Sequence, residues 1–357
     1  MAETLSGREP IRVVVVDDSA FMRKAIRRML EAEDDIEVVE TIGTGEAALD
    51  AVLRHNPDVI TLDIVLPGID GLTVLEQIMA AHPVPVLMLS SLTTRDAEVT
   101  LNALEKGAVD VVAKPAVYMH MDMPTIANEL VDKIRAAAGV NMDHLGARPT
   151  PLEGESPLAP PTAKSALEAV IIGASTGGPP ALTMLVNALP ADFPAALLLV
   201  QHMPPRFTAA LAERLDHTCR LPVKEASDGD LLTPGRVYVA RSGKHIHFAR
   251  RGDRVVLQLN MKPGGTTHVP SIDVAMDSAA QVFGDRAMGI LLTGMGDDGA
   301  RGLLAMREAG AYTVAEAQQS AVIWGMPGAA VSMGSAAAVL PLEEIPARIF
   351  ERVDGGR

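Results

Sequence analysis

The chain has almost no cysteine: Cys219 is the only one among 357 residues, which excludes an intramolecular disulfide and any thiolate metal cluster. A lone cysteine is most often a small buried apolar group, so Cys219 is a weak candidate nucleophile. Long hydrophobic runs are missing too. Stretches such as "AALLLV" at 195–200 fall far short of the ~20 residues a membrane crossing requires, and no membrane-inserted segment is expected. Basic charge is scarce: 31 Lys and Arg stand against 45 Asp and Glu, a net charge of −14. Such a chain repels a nucleic-acid backbone and carries no basic recognition helix, so nucleic acid is not an expected partner. The densest basic stretch, "RKAIRR" at 23–28, alternates charged with apolar positions as a solvated helix face does. The opening "MAETLSGREP" lacks a basic segment followed by an apolar one. No secretory signal is visible, and the expected location is cytoplasmic.

What is present is globular: 48% hydrophobic and 21% charged residues, in a chain long enough for two domains. After a tail at 1–10, residues 11–139 alternate short apolar runs with helical periodicity. "IRVVVV" (11–16), "IEVVETI" (36–42), "PDVITLDI" (57–64), "VPVLML" (84–89) and "VDVVAKP" (109–115) read as five strands. Near-continuous apolar strands separated by helices imply a parallel α/β sheet covered on both faces, a doubly wound (βα)5 domain. Residues 140–165 hold five prolines and two glycines without sustained periodicity, the composition of an extended linker. From 166 to 357 a second α/β domain with a mostly parallel sheet is expected. "LEAVIIGAS", "PAALLLVQH" and "AMGILLTGMG" are its buried strands, and "GRVYVA", "HIHFAR" and "RVVLQL" are shorter ones.

Ligands of open α/β sheets gather at the carboxyl ends of the strands. In the first domain Asp17 and Asp18 end the first strand, Asp63 the third, Ser90 the fourth and Lys114 the fifth. Three converging carboxylates repel one another unless a cation joins them, and an all-oxygen ligand set suits Mg²⁺. Asp63 is then placed to attack a phosphoryl group while Mg²⁺ and Lys114 neutralise the moving charge. Pro115 holds Lys114 away from the α region, and a cis bond there would aim the lysine inward. Aspartates also end strands simply because they favour turns, but four placements at four strand ends make coincidence a poor explanation.

The stretches "VVVVDDSAFMRK", "DVITLDIVLPGIDGL", "VLMLSS" and "DVVAKP" resemble the receiver domains of bacterial two-component response regulators. The resemblance implies phosphorylation of Asp63 by a histidine kinase. It makes Asp17, Asp18 and Asp63 the Mg²⁺ ligands, Ser90 the hydroxyl that senses the phosphoryl group and Lys114 its contact. Where many receivers carry a switch aromatic, this chain has Val111.

In the second domain "GASTGG" (173–178) is no dinucleotide fingerprint, because its glycines do not give G-x-G-x-x-G, and no Walker loop, because no Lys-Ser/Thr follows. It fits G-x-S-x-G, with Ser175 on a sharp strand-to-helix corner. A tight turn, or a phosphate cradle at a helix N-terminus, fits the same letters. Ser175 keeps suggestive company, since a serine hydroxyl needs a base and the base an orienting acid. His202 follows the most apolar strand, with His268 in reserve; His245 and His247 share one face of an alternating strand, as polar surface residues do. Asp297 and Asp298 follow a third buried strand. The order Ser, His, Asp differs from that of α/β-hydrolases, so the pattern speaks for the chemistry and leaves topology open.

Together "VIIGASTGG", "VQHMP", "VYVA", "PSIDVAMDSAA", "ILLTGMGDDGA" and "GMPGAA" resemble the catalytic domain of the CheB family of chemotaxis protein-glutamate methylesterases. That resemblance implies Ser175 as nucleophile, His202 as base, Asp298 as orienting acid, the Met295 N–H as an oxyanion donor, Thr176 as a positioning residue and no cofactor in the catalytic domain. It further implies a phosphorylation-activated hydrolase that demethylates glutamyl methyl esters and deamidates glutamines on chemoreceptors. Asp297 stands where many relatives carry Asn. The rival from the residues alone is a non-catalytic effector that binds phosphate or nucleotide at the GASTGG turn.

Overall fold

The computed structural model describes residues 9–91, 93–114, 123–142 and 167–353, in two units that divide between Gly146 and Ala147. Pro115 and nearly all of the Pro-rich segment lie outside the described residues. In the first unit β1 (Ile11–Val16), β2 (Ile36–Ile42), β3 (Val59–Asp63), β4 (Val86–Ser90) and β5 (Asp110–Ala113) alternate with α1 (Ala20–Leu30), α2 (Glu46–His55), α3 (Gly71–Ala81), α4 (Thr94–Glu105) and α5 (Met123–Ala137). The sheet is parallel, in the order β2-β1-β3-β4-β5. Val13 to Val16 are fully buried, as a strand covered on both faces requires. Two strands start later than their apolar runs, at Val59 and Val86, because Pro57 and Pro85 cannot donate to a ladder. Ser19, Asp70 and Thr93 cap α1, α3 and α4 by accepting the N–H of Met22, Thr73 and Asp96, each worth about 1 kcal/mol. The chain leaves β1 toward β2 on one side and β3 on the other, so the ligand-binding crevice lies beyond β1 and β3.

The second unit contains β6 (Ala169–Ala174), α6 (Gly178–Asn187), β7 (Ala196–Gln201), α7 (Phe207–Thr218), β8 (Val223–Glu225), β9 (Val237–Val239), β10 (His245–Arg251), β11 (Arg254–Asn260), α8 (Ile272–Phe283), β12 (Ala287–Leu291), α9 (Ala300–Glu308), β13 (Tyr312–Glu316), α10 (Met326–Ser332), β14 (Ala338–Leu340) and α11 (Ile345–Val353). Seven of these strands form one parallel sheet, β14-β13-β12-β6-β7-β9-β8. β10 and β11 leave it as a separate antiparallel pair, packed against α8 with Phe248 edge-on to Phe283 at 5.0 Å. β6 lies between β7 and β12, so the crevice of this sheet opens beyond the three strands that lead to Ser175, His202 and the Asp297–Asp298 pair.

Candidate active site and phosphoacceptor site

Ser175 follows β6 where the chain must turn at once into α6. Gly177 makes the turn possible: its φ of 78° suits glycine, and a Cβ there would lie 2.7 Å from Val322 Cβ. The half-buried serine is held by its backbone. Its N–H donates to the Thr293 carbonyl at 3.0 Å, and its carbonyl accepts the Gln201 amide at 2.8 Å. Ala174 and Gln201 are register partners on β6 and β7, so the next residues, Ser175 and His202, leave the sheet side by side. The His202 N–H donates to the Ala174 carbonyl at 3.1 Å. On the other flank Gly294 must be glycine, since a Cβ there would come within 2.8 Å of Ser175 Cβ and 2.4 Å of Met326 Sδ.

His202 Nε2 lies 2.8 Å from Asp298 Oδ2. The Asp298 carboxylate also accepts the Ile272 N–H at 2.7 Å, the Asp273 N–H at 3.1 Å and the Ser271 hydroxyl at 2.8 Å. It therefore closes the N-terminus of α8, where backbone donors and the helix dipole favour an anion. Burial would raise the carboxyl, but the bond and charge of His202 and the two backbone N–H groups hold it well below the ordinary carboxylate range. An acceptor so committed fixes the imidazole proton on Nε2. Nδ1 is then the basic nitrogen, and it is buried with no hydrogen-bond partner among the described residues. His268 stacks on the ring, 4.0 Å between centroids. Among the described residues no hydrogen bond joins the Ser175 hydroxyl to the imidazole; such bonds often tighten only when substrate is bound.

Asp297 is exposed and Asp298 is the member of the pair that meets His202. The Met295 N–H has no acceptor among the described residues, and Thr176 is buried with its carbonyl accepting the Thr293 hydroxyl at 2.9 Å. The structure corrects the expectation for His245, which is fully buried and not part of a polar surface. Its Nδ1 accepts the Ser271 N–H at 3.2 Å and its Nε2 lies 3.1 Å from Thr266 Oγ1, with burial holding it below the usual histidine range. Asp273, which sequence reasoning passes over, complements Asp298. Its Oδ1 accepts the Gly299 and Gly302 N–H groups at 2.9 and 2.8 Å, and its Oδ2 accepts Arg301. The starts of α8 and α9 are thus each closed by a carboxylate from the other. The one local signal is the Ser271-Ile-Asp273 start of a helical run, where Ser271 accepts the Val274 N–H.

In the first unit Asp17, Asp18 and Asp63 bring carboxylate oxygens within 4.8 Å of one another. Lys114 Nζ lies 2.6 Å from Asp63 Oδ2 and 2.7 Å from Asp17 Oδ2. Apart from that ionic contact, the buried Asp17 Oδ2 has no hydrogen-bond donor among the described residues and keeps acceptor capacity. Hard oxygen donors of this kind, with Asp18 exposed at the rim, fit a magnesium ion that keeps several waters. Burial raises the Asp63 carboxyl despite the opposing Lys114 and Val65 N–H bonds, and the charge of Asp17 adds to the rise. Ser90 is fully buried at the end of β4, its hydroxyl 3.4 Å from Thr100 Oγ1.

Residues 170–349 match the CheB methylesterase family and residues 13–122 the response regulator receiver domain. The protein-glutamate methylesterase/protein-glutamine glutaminase of Chromohalobacter salexigens is 45% identical over 96% of each chain, and that of Geobacter metallireducens is 43% identical over 96% of each. The crystal structure of the Thermotoga maritima CheB methylesterase catalytic domain is 39% identical with a TM-score of 0.51, covering 52% of this chain and 98% of that one. On two matched domains and relatives alignable over nearly its whole length, the chain belongs to the family of receiver-linked CheB methylesterases.

Proposed function

We propose that the protein is a serine hydrolase of chemotaxis that removes methyl esters from glutamyl side chains of chemoreceptors, deamidates receptor glutamines, and is activated by phosphorylation at Asp63. The observation that carries the catalytic assignment is the pairing of His202 Nε2 with Asp298 at 2.8 Å, which leaves Nδ1 as an unpaired base. Ser175 Oγ attacks the ester carbonyl carbon and its proton passes to Nδ1. The oxyanion faces the Met295 N–H, and the Asp298 carboxylate stabilises the imidazolium. The intermediate collapses to an acyl-enzyme as the imidazolium protonates the leaving methoxide to methanol, or the leaving amide to ammonia. Water, deprotonated by His202, then releases the glutamate carboxylate. Thr176 keeps the turn in register through its carbonyl.

In the receiver, Asp17, Asp18 and Asp63 would hold Mg²⁺, which supplies charge neutralisation at a transferred phosphoryl group. Lys114 contributes a second positive charge and Ser90 a hydroxyl, with a histidine kinase as phosphodonor. The enzyme works in the cytoplasm; no helix among the described residues is long and apolar enough to cross a membrane. The rival reading, phosphate held at the start of α6, is disfavoured by Pro179 and Pro180, which remove N–H donors from that turn, and by the Gly178 N–H, already given to the Ser175 carbonyl at 2.8 Å. The test is Ser175→Ala in the full chain. Methanol release from methylated receptor should be lost with receptor binding kept, whereas retained turnover would end the assignment.

A further inference from the structure

Glu316 ends β13, is fully buried, and takes no part in the steps above. Its Oε2 accepts the Thr293 N–H at 2.7 Å, its Oε1 accepts the Ser320 hydroxyl at 2.9 Å, and its carbonyl accepts the Trp324 indole N–H at 3.0 Å. Thr293 is the hub of the corner. Its carbonyl takes the Ser175 N–H at 3.0 Å, and its hydroxyl donates to the Thr176 carbonyl at 2.9 Å while accepting the Ile323 N–H at 3.0 Å. The Gly294–Asp298 loop follows directly from it. We infer that Glu316 is a positioning residue for the Ser175 corner, acting through Thr293, and that it works by its hydrogen-bond pattern and not by negative charge. The inference rests on Ser175 being the nucleophile.

Among the described residues no cation pairs with this carboxylate, and an unpaired buried charge is costly. Burial pushes the group up to about 7; the Thr293 and Ser320 bonds oppose that rise, and the field of Glu343, the charged neighbour on the Leu342–Glu344 turn, adds to it. The protonated form fits the same site. Ser320 Oγ lies 3.3 Å from the Ala317 carbonyl, so its hydroxyl can turn there and accept the Glu316 O–H, while the Thr293 bond is unchanged. A negative charge behind a loop that must stabilise an oxyanion works against the reaction. Neutral Glu316 is therefore the competent form.

The test measures methanol release by the full chain against pH. Glu316→Gln supplies the same acceptor to Thr293 and a donor to Ser320, and should keep kcat within about 3-fold at pH 6. Wild-type kcat should fall as pH rises through about 7, and Glu316→Gln should lack that step. Ser320→Ala takes a charge-assisted bond from the ionised form and only a weaker neutral one from the protonated form, so it should move the step upward. Glu316→Ala should lower kcat roughly 10²-fold with KM held. A Gln variant as impaired as the Ala variant would overturn the inference, as would full kcat in Glu316→Ala. If the Ala variant does not fold, a wild-type step unmoved in both Glu316→Gln and Ser320→Ala overturns it. Turnover by Ser175→Ala would instead count against the nucleophile assignment, so the two failures are distinguishable.

Discussion

Asp298→Asn changes one atom of the relay, and its cost can be worked from the contacts. Each carboxylate oxygen accepts two hydrogen bonds: Oδ2 from His202 and Ile272, Oδ1 from Ser271 and Asp273. An amide must therefore turn its NH₂ toward one of two backbone N–H groups. The Oδ1 side is the milder clash, because the Asp273 N–H is 3.1 Å away and that of Ile272 is 2.7 Å. The amide carbonyl thus stays on His202, the proton stays on Nε2, and what is lost is the charge. An anion ~4 Å from an imidazolium at an effective dielectric of ~20 is worth about 4 kcal/mol, which is about a 10³-fold loss of kcat. KM should hold, because Asp298 contacts the imidazole and the start of α8 and not the ester. The assay is methanol release from methylated receptor by the full chain, with a phosphodonor and Mg²⁺ present. A loss smaller than about 10-fold, or a raised KM with kcat kept, would refute the reasoning. Stability supplies a second readout. A carboxyl held below its unfolded value contributes stability that is complete above about pH 4 and fades as pH falls through the native value. The urea-midpoint gap between wild type and variant should be full near neutrality and shrink in acid.

Gly294→Ala should lower kcat roughly 10²-fold and cost about 1–3 kcal/mol in chemical denaturation, because the new methyl would meet Ser175 and Met326; unchanged kinetics would show that the corner gives way freely. Arg206 heads α7 with a φ of 77°, a strained backbone for any residue with a Cβ. Arg206→Gly should be more stable than Arg206→Ala by about 1 kcal/mol, with a Tm roughly 2–4 °C higher, since both variants lose the interactions of the arginine side chain and only the glycine relieves the backbone; an Ala variant as stable as the Gly variant would contradict the strain. Asp63→Asn should abolish the stimulation of methanol release by a small phosphodonor plus Mg²⁺; stimulation that persists would place the phosphoacceptor elsewhere.

The first unit was legible in the sequence because its strands are buried on both faces, and such strands read as unbroken apolar runs, as "IRVVVV" does. β8, β13 and β14 lack such runs: "VKE", "YTVAE" and "AVL" are short or polar. β10 and β11 read as strands, but their departure from the main sheet is set by packing on α8, which alternation cannot show. Ser175, His202 and Asp298 were legible for one reason: each follows a buried strand at the carboxyl edge of the same sheet. The residues that hold them were not. His245, buried in the fold, bonds a distant segment carrying Thr266 and Ser271, which strand alternation does not show. The reciprocal closure of α8 and α9 by Asp298 and Asp273 joins residues 25–29 positions apart, and Glu316 meets Thr293 across 23. No local pattern encodes such meetings.

In the proposed mechanism Asp298 commits the His202 proton to Nε2 and so leaves Nδ1 to receive the proton of Ser175. Nitrogen-15 NMR of the histidine-labelled full chain, with the signal assigned by His202→Gln, tests it most directly. At the pH of full activity the imidazole should carry its proton on Nε2 and be bare at Nδ1. A ring carrying its proton on Nδ1 at that pH would contradict it.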